Sequence, residues 1–311
     1  MSSLVPVEIK ELRIPIRQGA HSLFVKRVVH HTDTPDNCSP LFTILVVHGG
    51  PGLSDHTESY HGLIQLLEHC PLCHDLVFYD QLGCGASDKP SSFPYSLHYY
   101  TSELSQVIEA CATMNDTTKT KICLLGHSWG GQVVLEYLLH TNVSPHVHGA
   151  IISNAPLDES SYEQRQQYLR SQLDKVTQQF VQADELSVSQ DGSVGAQIYQ
   201  KLIGTSETSI TGDMKGWSLL ENAETTKLIH KLPLPCLFVT GKLDTVPWED
   251  YQKVKTVLEA VEAASSPSLQ HQVHILEQGD HGPFFGSTAV EYFAIIRSFL
   301  ESLVVTKDSL W

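Results

Sequence analysis

The stretch Leu124-Leu125-Gly126-His127-Ser128-Trp129-Gly130-Gly131 limits what this chain can fold into more than any other. The short apolar run 121–125 leads into it and residues 132–139 leave it with helical apolar spacing, so a buried strand must turn at once into a helix with Ser128 at the corner. Gly126 and Gly130 let strand and helix approach, while Ser128 takes the strained backbone that lifts its hydroxyl clear of the sheet. G-x-S-x-G in this setting makes Ser128 a candidate nucleophile.

A serine hydroxyl is a weak nucleophile at neutral pH, so the reading requires a base, an acid that orients the base, and donors for an oxyanion. In parallel sheets with such a corner the partners follow in the order Ser, Asp or Glu, His, each beyond the C-terminal end of a later strand. Residues 235–240 read as one such strand, and Gly241-Lys242-Leu243-Asp244 leaves it, which makes Asp244 the acid. Residues 271–276 read as the next, and Glu277-Gln278-Gly279-Asp280-His281-Gly282 makes His281 the base. Asp280 is adjacent to His281, but neighbouring side chains at a turn diverge, and it reads as a turn residue.

An earlier strand should supply the oxyanion donors. Residues 41–47 are almost unbroken apolar sequence, as in a central parallel strand, and His48-Gly49-Gly50-Pro51-Gly52 follows directly. A simple chain reversal accounts for Pro51-Gly52 but not for the glycines before them. Those allow a backbone N–H to face a ligand, so Gly50 is assigned as one donor and Trp129, next after the nucleophile, as the other.

With 311 residues, 41% hydrophobic and 18% charged, the chain is long enough for a large core plus an insertion. Its net charge of −15 repels nucleic acid and anionic membrane surfaces, which excludes both as partners at this level of reading. The first residues carry neither a basic segment nor a long apolar one, so a cytoplasmic protein is expected. Seven cysteines fit reduced thiols better than a disulfide frame, and Cys70-Pro71-Leu72-Cys73 reads as a loop with two thiols. The sequons at Asn37, Asn115 and Asn142 read as coincidences without an export signal.

Taken in order, residues 8–14 and 22–29 alternate as an antiparallel hairpin at the edge of the sheet. Residues 60–70 read as a helix, 76–79 as a strand, 97–111 as a helix and 147–153 as a further strand. Such alternation implies a mostly parallel sheet covered on both faces. It stops at about Pro156. From there to Lys231 the chain is polar and helical, with Tyr162, Tyr168, Leu169, Leu173, Val176 and Phe180 at near-helical intervals, so an ordered lid over the C-terminal strand ends is expected.

Three motifs together carry a resemblance. His48-Gly49-Gly50-Pro51-Gly52, the interrupted Tyr79-Asp80-Gln81-Leu82-Gly83-Cys84-Gly85 with Ser87, and Gly126-His127-Ser128-Trp129-Gly130-Gly131 resemble the proline iminopeptidase family of α/β-hydrolases, over nearly the whole chain and least in 160–199. The resemblance implies a serine aminopeptidase that releases N-terminal residues, often proline, with close relatives acting on amino-acid amides. The segment from Ser206 to Trp217 is similar to the tricorn-interacting-factor branch, where a glutamate binds the substrate's α-amino group. That role falls on Glu207, with Glu221 as a second candidate because other branches place a glutamate shortly after a tryptophan such as Trp217.

Two positions depart from the family pattern. Leu82 stands where the motif has arginine, and Thr245 where the matched branch has a second amino-binding glutamate. One carboxylate in place of two weakens ammonium recognition by about 1–3 kcal/mol. Exopeptidase activity therefore asks more of this chain than hydrolysis itself.

The expected architecture is an α/β-hydrolase core of residues 1–155 and 231–311 with a helical cap, 156–230, inserted after the sixth strand. The expected activity is cleavage of an N-terminal residue from a small peptide or amino-acid amide through an acyl-enzyme on Ser128, without metal or cofactor. A specialised amidase or esterase with no demand for a free amine is the alternative, and a ligand-binding protein on the same scaffold the non-enzymatic one. Trp217, Phe284 and Phe285 either line the substrate pocket or pack in the core.

Overall fold

The most apolar stretches of the chain form the middle of the sheet. In the computed structural model, which describes residues 7–30, 42–114, 121–204, 212–220, 229, 231–262 and 271–305, β3 (Phe42–Val47) lies between β4 (Cys73–Tyr79) and β5 (Lys121–His127), and all of its residues are buried. With β1 (Val7–Ile16), β2 (His21–His30), β6 (Val147–Ser153), β7 (Cys236–Gly241) and β8 (Gln272–Leu276), the described strands run in the order β1-β2-β4-β3-β5-β6-β7-β8. The β1–β2 hairpin joins β4 antiparallel, and every pair from β4 to β8 is parallel.

Successive strand residues point to opposite faces, so one apolar run supplies two cores. Leu45, Val47, Leu124, Ile152 and Phe238 pack with Leu104 and Ile108 of α3 (Leu97–Met114), Val134 of α4 (Trp129–His140) and Tyr251 of α8 (Trp248–Glu262). Ile44, Val46, Leu125, Ile151 and Leu237 face the other way. They meet Leu63 of α1 (His56–Leu63), Leu67 of α2 (Leu66–His69) and Phe293 and Phe299 of α9 (Ala289–Val305). Each such side chain contributes about 1.5–3 kcal/mol by leaving water.

The helix expected over 60–70 is two helices. Asp55 caps α1 early by accepting from Thr57 N at 2.7 Å, and the break follows Gly62, a poor helix former. Between β6 and β7 the chain forms α5 (Glu159–Ser171), α6 (Lys175–Gln190) and α7 (Val194–Leu202). Their apolar residues do not all face inward. Tyr162 packs against the core, but Tyr168, Val176 and Phe180 are 56%, 62% and 73% exposed. Helical spacing identified the helices without revealing which face is covered. Among the described residues no helix is long and apolar enough to cross a membrane.

Candidate active site

Ser128 occupies the junction of β5 and α4 at φ 55° and ψ −125°, a conformation costly for any residue with a side chain. Its N–H donates to the Ser153 carbonyl of β6 at 2.9 Å, which fixes the corner to the neighbouring strand. A β-carbon at Gly126 would strike the backbone of Gly130, and one at Gly130 would strike the Val47 carbonyl. Only glycine at both positions lets α4 seat against β5 and β3.

Two loops from the far side of the sheet converge on this corner. Lys242 and Leu243, just past β7, donate to the carbonyls of Leu276 and Gly279 at 2.9 Å each, so the turn carrying Asp244 is stitched to the one leading to His281. His281 Nε2 lies 3.1 Å from Ser128 Oγ, and its Nδ1 lies 2.8 Å from Asp244 Oδ1. Asp244 is fully buried and its remaining acceptor capacity is filled. Val246 N–H donates to Oδ1 at 3.0 Å and the Asn154 amide to Oδ2 at 2.6 Å. Asp280 is exposed and accepts from Gly282 N–H at 3.0 Å, as a turn residue does.

The charges follow from these contacts. Burial opposes ionisation of Asp244, but the hydrogen bond and charge of His281, then the Val246 and Asn154 donors, outweigh it and hold the carboxyl below its usual range. Burial likewise opposes the imidazolium of His281, yet the bond to Asp244 and its negative charge, with smaller help from Glu58 and Asp280, raise its pKa above 6.5. His127 behaves in the opposite way. Burial first, then repulsion from His281, push it down to about 4, so it stays neutral while its Nε2 meets the His281 carbonyl at 2.7 Å.

The loop after β3 is held against the corner by Gln81. Its side chain donates to the His48 carbonyl at 2.9 Å and accepts from the Trp129 indole at 3.0 Å, while its N–H donates to His48 Nε2 at 3.1 Å. A β-carbon at Gly49 would sit 3.3 Å from Ser128 Cβ, and one at Gly50 3.9 Å from Trp129 Cδ1. The N–H groups of Gly50 and Trp129 have no acceptor among the described residues, so both remain available to a ligand oxygen.

The helices between β6 and β7 rest on both loops. Gly195 of α7 meets Gly52 backbone to backbone, with Ile198 beside Gly52 and Gly83. On α5, Arg165 and Gln166 donate to the main-chain carbonyls of Asp244 and Thr245 at 3.2 and 3.1 Å.

Comparison with known proteins places this geometry. Residues 43–192 match the family model described as the α/β hydrolase fold. The proline iminopeptidase of Heyndrickxia coagulans is 26% identical over 290 residues, covering 84% of this chain and 91% of that protein. The crystal structure of the Mycobacterium smegmatis proline iminopeptidase superposes with a TM-score of 0.69 at 18% identity, covering 96% of this chain and 99% of that one. The chain has the α/β-hydrolase fold and is similar to the proline iminopeptidases. An esterase from Pyrococcus furiosus shares the fold, with a TM-score of 0.61 at 15% identity over 96% of this chain and 91% of its own, so the fold of this hydrolase does not by itself choose a substrate.

Other expected positions of the α/β-hydrolase divide clearly. Phe284 is core, fully buried against His127 and Tyr292, whereas Phe285 is 40% exposed. Trp217 is partly buried against the core. Glu207 and Glu221 lie outside the described residues. Leu82 stands where the resembled motif has arginine. Its N–H donates to the Glu103 carboxyl at 3.2 and 3.3 Å and its carbonyl accepts from Tyr100 at 3.1 Å, so the loop is held through backbone. The Thr245 hydroxyl donates to Asp244 Oδ1 at 3.3 Å.

Among the described residues one cluster has its ligand atoms close enough together for a cation. Ligand atoms of Asp55, His56 and Asp80 lie within 4.8 Å of one another. They are engaged internally: Asp80 takes the N–H and Nδ1 of His56 at 2.8 Å each and the Ala86 N–H at 2.7 Å. Cys70 and Cys73 are buried free thiols, with burial raising both pKa values.

Asn154, Gln81 and Arg165 were not singled out from the sequence as site residues. Asn154 carried a weak signal, a carboxamide immediately beyond β6. Gln81 lay within a quoted motif without an assigned task, and Arg165 had none, being one charge in a polar helical stretch.

Proposed function

We propose that this protein is a serine hydrolase of the proline iminopeptidase type, which releases the N-terminal residue of a small peptide or amino-acid amide through an acyl-enzyme. The observation that carries the reading is the unbroken hydrogen-bonded line from Ser128 through His281 to buried Asp244. His281, held in one tautomer by Asp244, takes the proton of Ser128 as the oxygen attacks the acyl carbon. The N–H groups of Gly50 and Trp129 receive the oxyanion, and His281 returns the proton to the leaving amine. Water then repeats the sequence on the acyl-enzyme.

Residues 156–230 act as the cap in this proposal, and Glu207 binds the α-ammonium, with Glu221 and Trp217 as further substrate contacts. A carboxylate in a closed pocket fixes which end of a peptide enters. One observation favours a second reading, an amidase or esterase without need of a free amine: Thr245 offers no carboxylate and spends its hydroxyl on Asp244.

The test compares kcat/KM on Pro-, Ala- and Leu-nitroanilide, each with a free and an acetylated amine, together with a nitrophenyl ester. A loss of tenfold or more on acetylation, about 1.4 kcal/mol, is the expected result and justifies Glu207→Gln. Indifference to acetylation, or cleavage of the ester alone, selects the second reading.

A further inference from the structure

His48 follows β3 directly and is 1% exposed, yet it takes no part in the proton transfers. Both of its ring nitrogens are engaged. The Gln81 main-chain N–H meets Nε2 at 3.1 Å, and the Gly49 carbonyl lies 2.6 Å from Nδ1. A main-chain N–H only donates and a carbonyl only accepts, so the neutral ring carries its proton on Nδ1 and donates it to Gly49. Burial outweighs that bond and holds the pKa of His48 below 6.5, which agrees with a neutral imidazole.

This bond acts on the peptide that joins Gly49 to Gly50. The Gly49 carbonyl and the Gly50 N–H belong to one planar trans group, so they point in opposite directions. With the carbonyl turned in toward His48, the N–H is turned out, and it has no acceptor among the described residues. Flanked by two glycines, the peptide has no β-carbon to limit its rotation, so its orientation must be held from outside. It lies against the nucleophile corner: β-carbons at Gly49 and Gly50 would sit 3.3 Å from Ser128 Cβ and 3.9 Å from Trp129 Cδ1.

Gln81 completes the restraint. Its side chain draws in the His48 carbonyl at 2.9 Å, so two successive peptides are anchored through their carbonyls. The same side chain accepts from the Trp129 indole at 3.0 Å, which ties this loop to the residue whose N–H is the other donor.

We propose that His48 is a positioning residue for oxyanion stabilisation: its Nδ1–H bond to the Gly49 carbonyl keeps the Gly50 N–H turned toward the acyl oxygen on Ser128. This rests on the serine-hydrolase reading above and adds to it the group that sets one of the two donors.

The experiment measures kcat and KM of the wild type, His48→Phe and His48→Asn on nitrophenyl butyrate and Ala-nitroanilide, with inhibition by the trifluoromethyl ketone of the same acyl chain. Ser128 Oγ bonds to the ketone carbon, its proton passes to His281, and the carbonyl oxygen becomes an alkoxide in the oxyanion position, so the ketone reports on that site. His48→Phe is expected to lower kcat about ten- to a hundredfold with KM nearly unchanged, and to weaken the ketone by a similar factor. His48→Asn, whose amide N–H can stand in for Nδ1–H, recovers most of both. A folded His48→Phe with wild-type kcat overturns the proposal, as does a loss of kcat without weaker ketone binding, or a folded His48→Asn as impaired as His48→Phe. The ring nitrogen chemical shifts of His48 in the wild type test the same bond without any variant: protonated Nδ1 with bare Nε2 supports it, and the opposite tautomer overturns it. Folded wild type that turns over neither substrate overturns the hydrolase reading and this proposal with it.

Discussion

The side-chain amide of Asn154 donates to Asp244 Oδ2 at 2.6 Å and also to the Asp280 carbonyl at 3.0 Å, so one residue just past β6 ties Asp244 to the turn that carries His281. Asn154 itself sits at φ 52°, where Asn is better tolerated than most residues. Asn154→Ala leaves a buried carboxylate oxygen short of a donor and strains the backbone. The expected effects are a loss of about 1–3 kcal/mol in denaturant unfolding and a fall in kcat of about tenfold with little change in KM. An unchanged kcat contradicts a positioning role for Asn154.

Activity should depend on pH through His281, which must be neutral to accept the Ser128 proton. Because Asp244 raises its pKa above 6.5, the acid limb of kcat/KM is expected above pH 6.5, with activity rising as the imidazolium loses its proton. Asp244→Asn removes the cause of the shift. Its limb should move to lower pH, and kcat should fall by about 10³–10⁴-fold through loss of the tautomer. A pH–rate profile of both proteins checks the direction.

Glu103 is fully buried below the Leu82 loop. Burial, opposed by the Leu82 N–H and more weakly by Arg17, pushes its pKa from 4.5 up to about 8. Since the folded value lies above the unfolded one, Glu103 costs nothing below pH 4.5 and destabilises progressively as pH rises toward 8. Glu103→Gln keeps an acceptor for Leu82 without the charge. It should leave stability nearly unchanged at pH 4.5 and raise it at pH 8 by on the order of 4 kcal/mol, read as Tm or urea midpoint. An equal gain at both pH values would falsify the ionisation account.

Gly195 offers a structural test of the inserted helices. Ala is normally better than Gly in a helix by about 0.5–1 kcal/mol, but a β-carbon here strikes the Gly52 carbonyl. Gly195→Ala is therefore expected to destabilise by about 1–3 kcal/mol and to lower kcat/KM several-fold by displacing α7 or the loop beneath it. A stabilised variant with full activity contradicts the contact.

What the sequence made legible were residues at strand ends. Ser128, Asp244 and His281 each follow an apolar run bounded by glycine, and chain order ranked them, so their convergence could be anticipated before any distance was known. Asn154, Arg165 and Glu103 were hidden because their neighbours are far away in the chain: Asp244 lies 90 residues from Asn154 and 79 from Arg165. Residue type alone gave no reason to prefer them over other polar residues. The inserted helices show a related limit. Spacing reveals a helix, but Phe180 and Val176 point outward, and only packing decides which stripe is covered.

The central claim is that Ser128 is an activated nucleophile. It is tested most directly by reacting the folded protein with a fluorophosphonate and measuring the intact mass and the modified peptide. The account predicts one adduct per chain on Ser128, absent in Ser128→Ala and formed much more slowly in Asp244→Asn. Folded wild type that takes up no probe, or a Ser128→Ala variant labelled as fully as wild type, contradicts it.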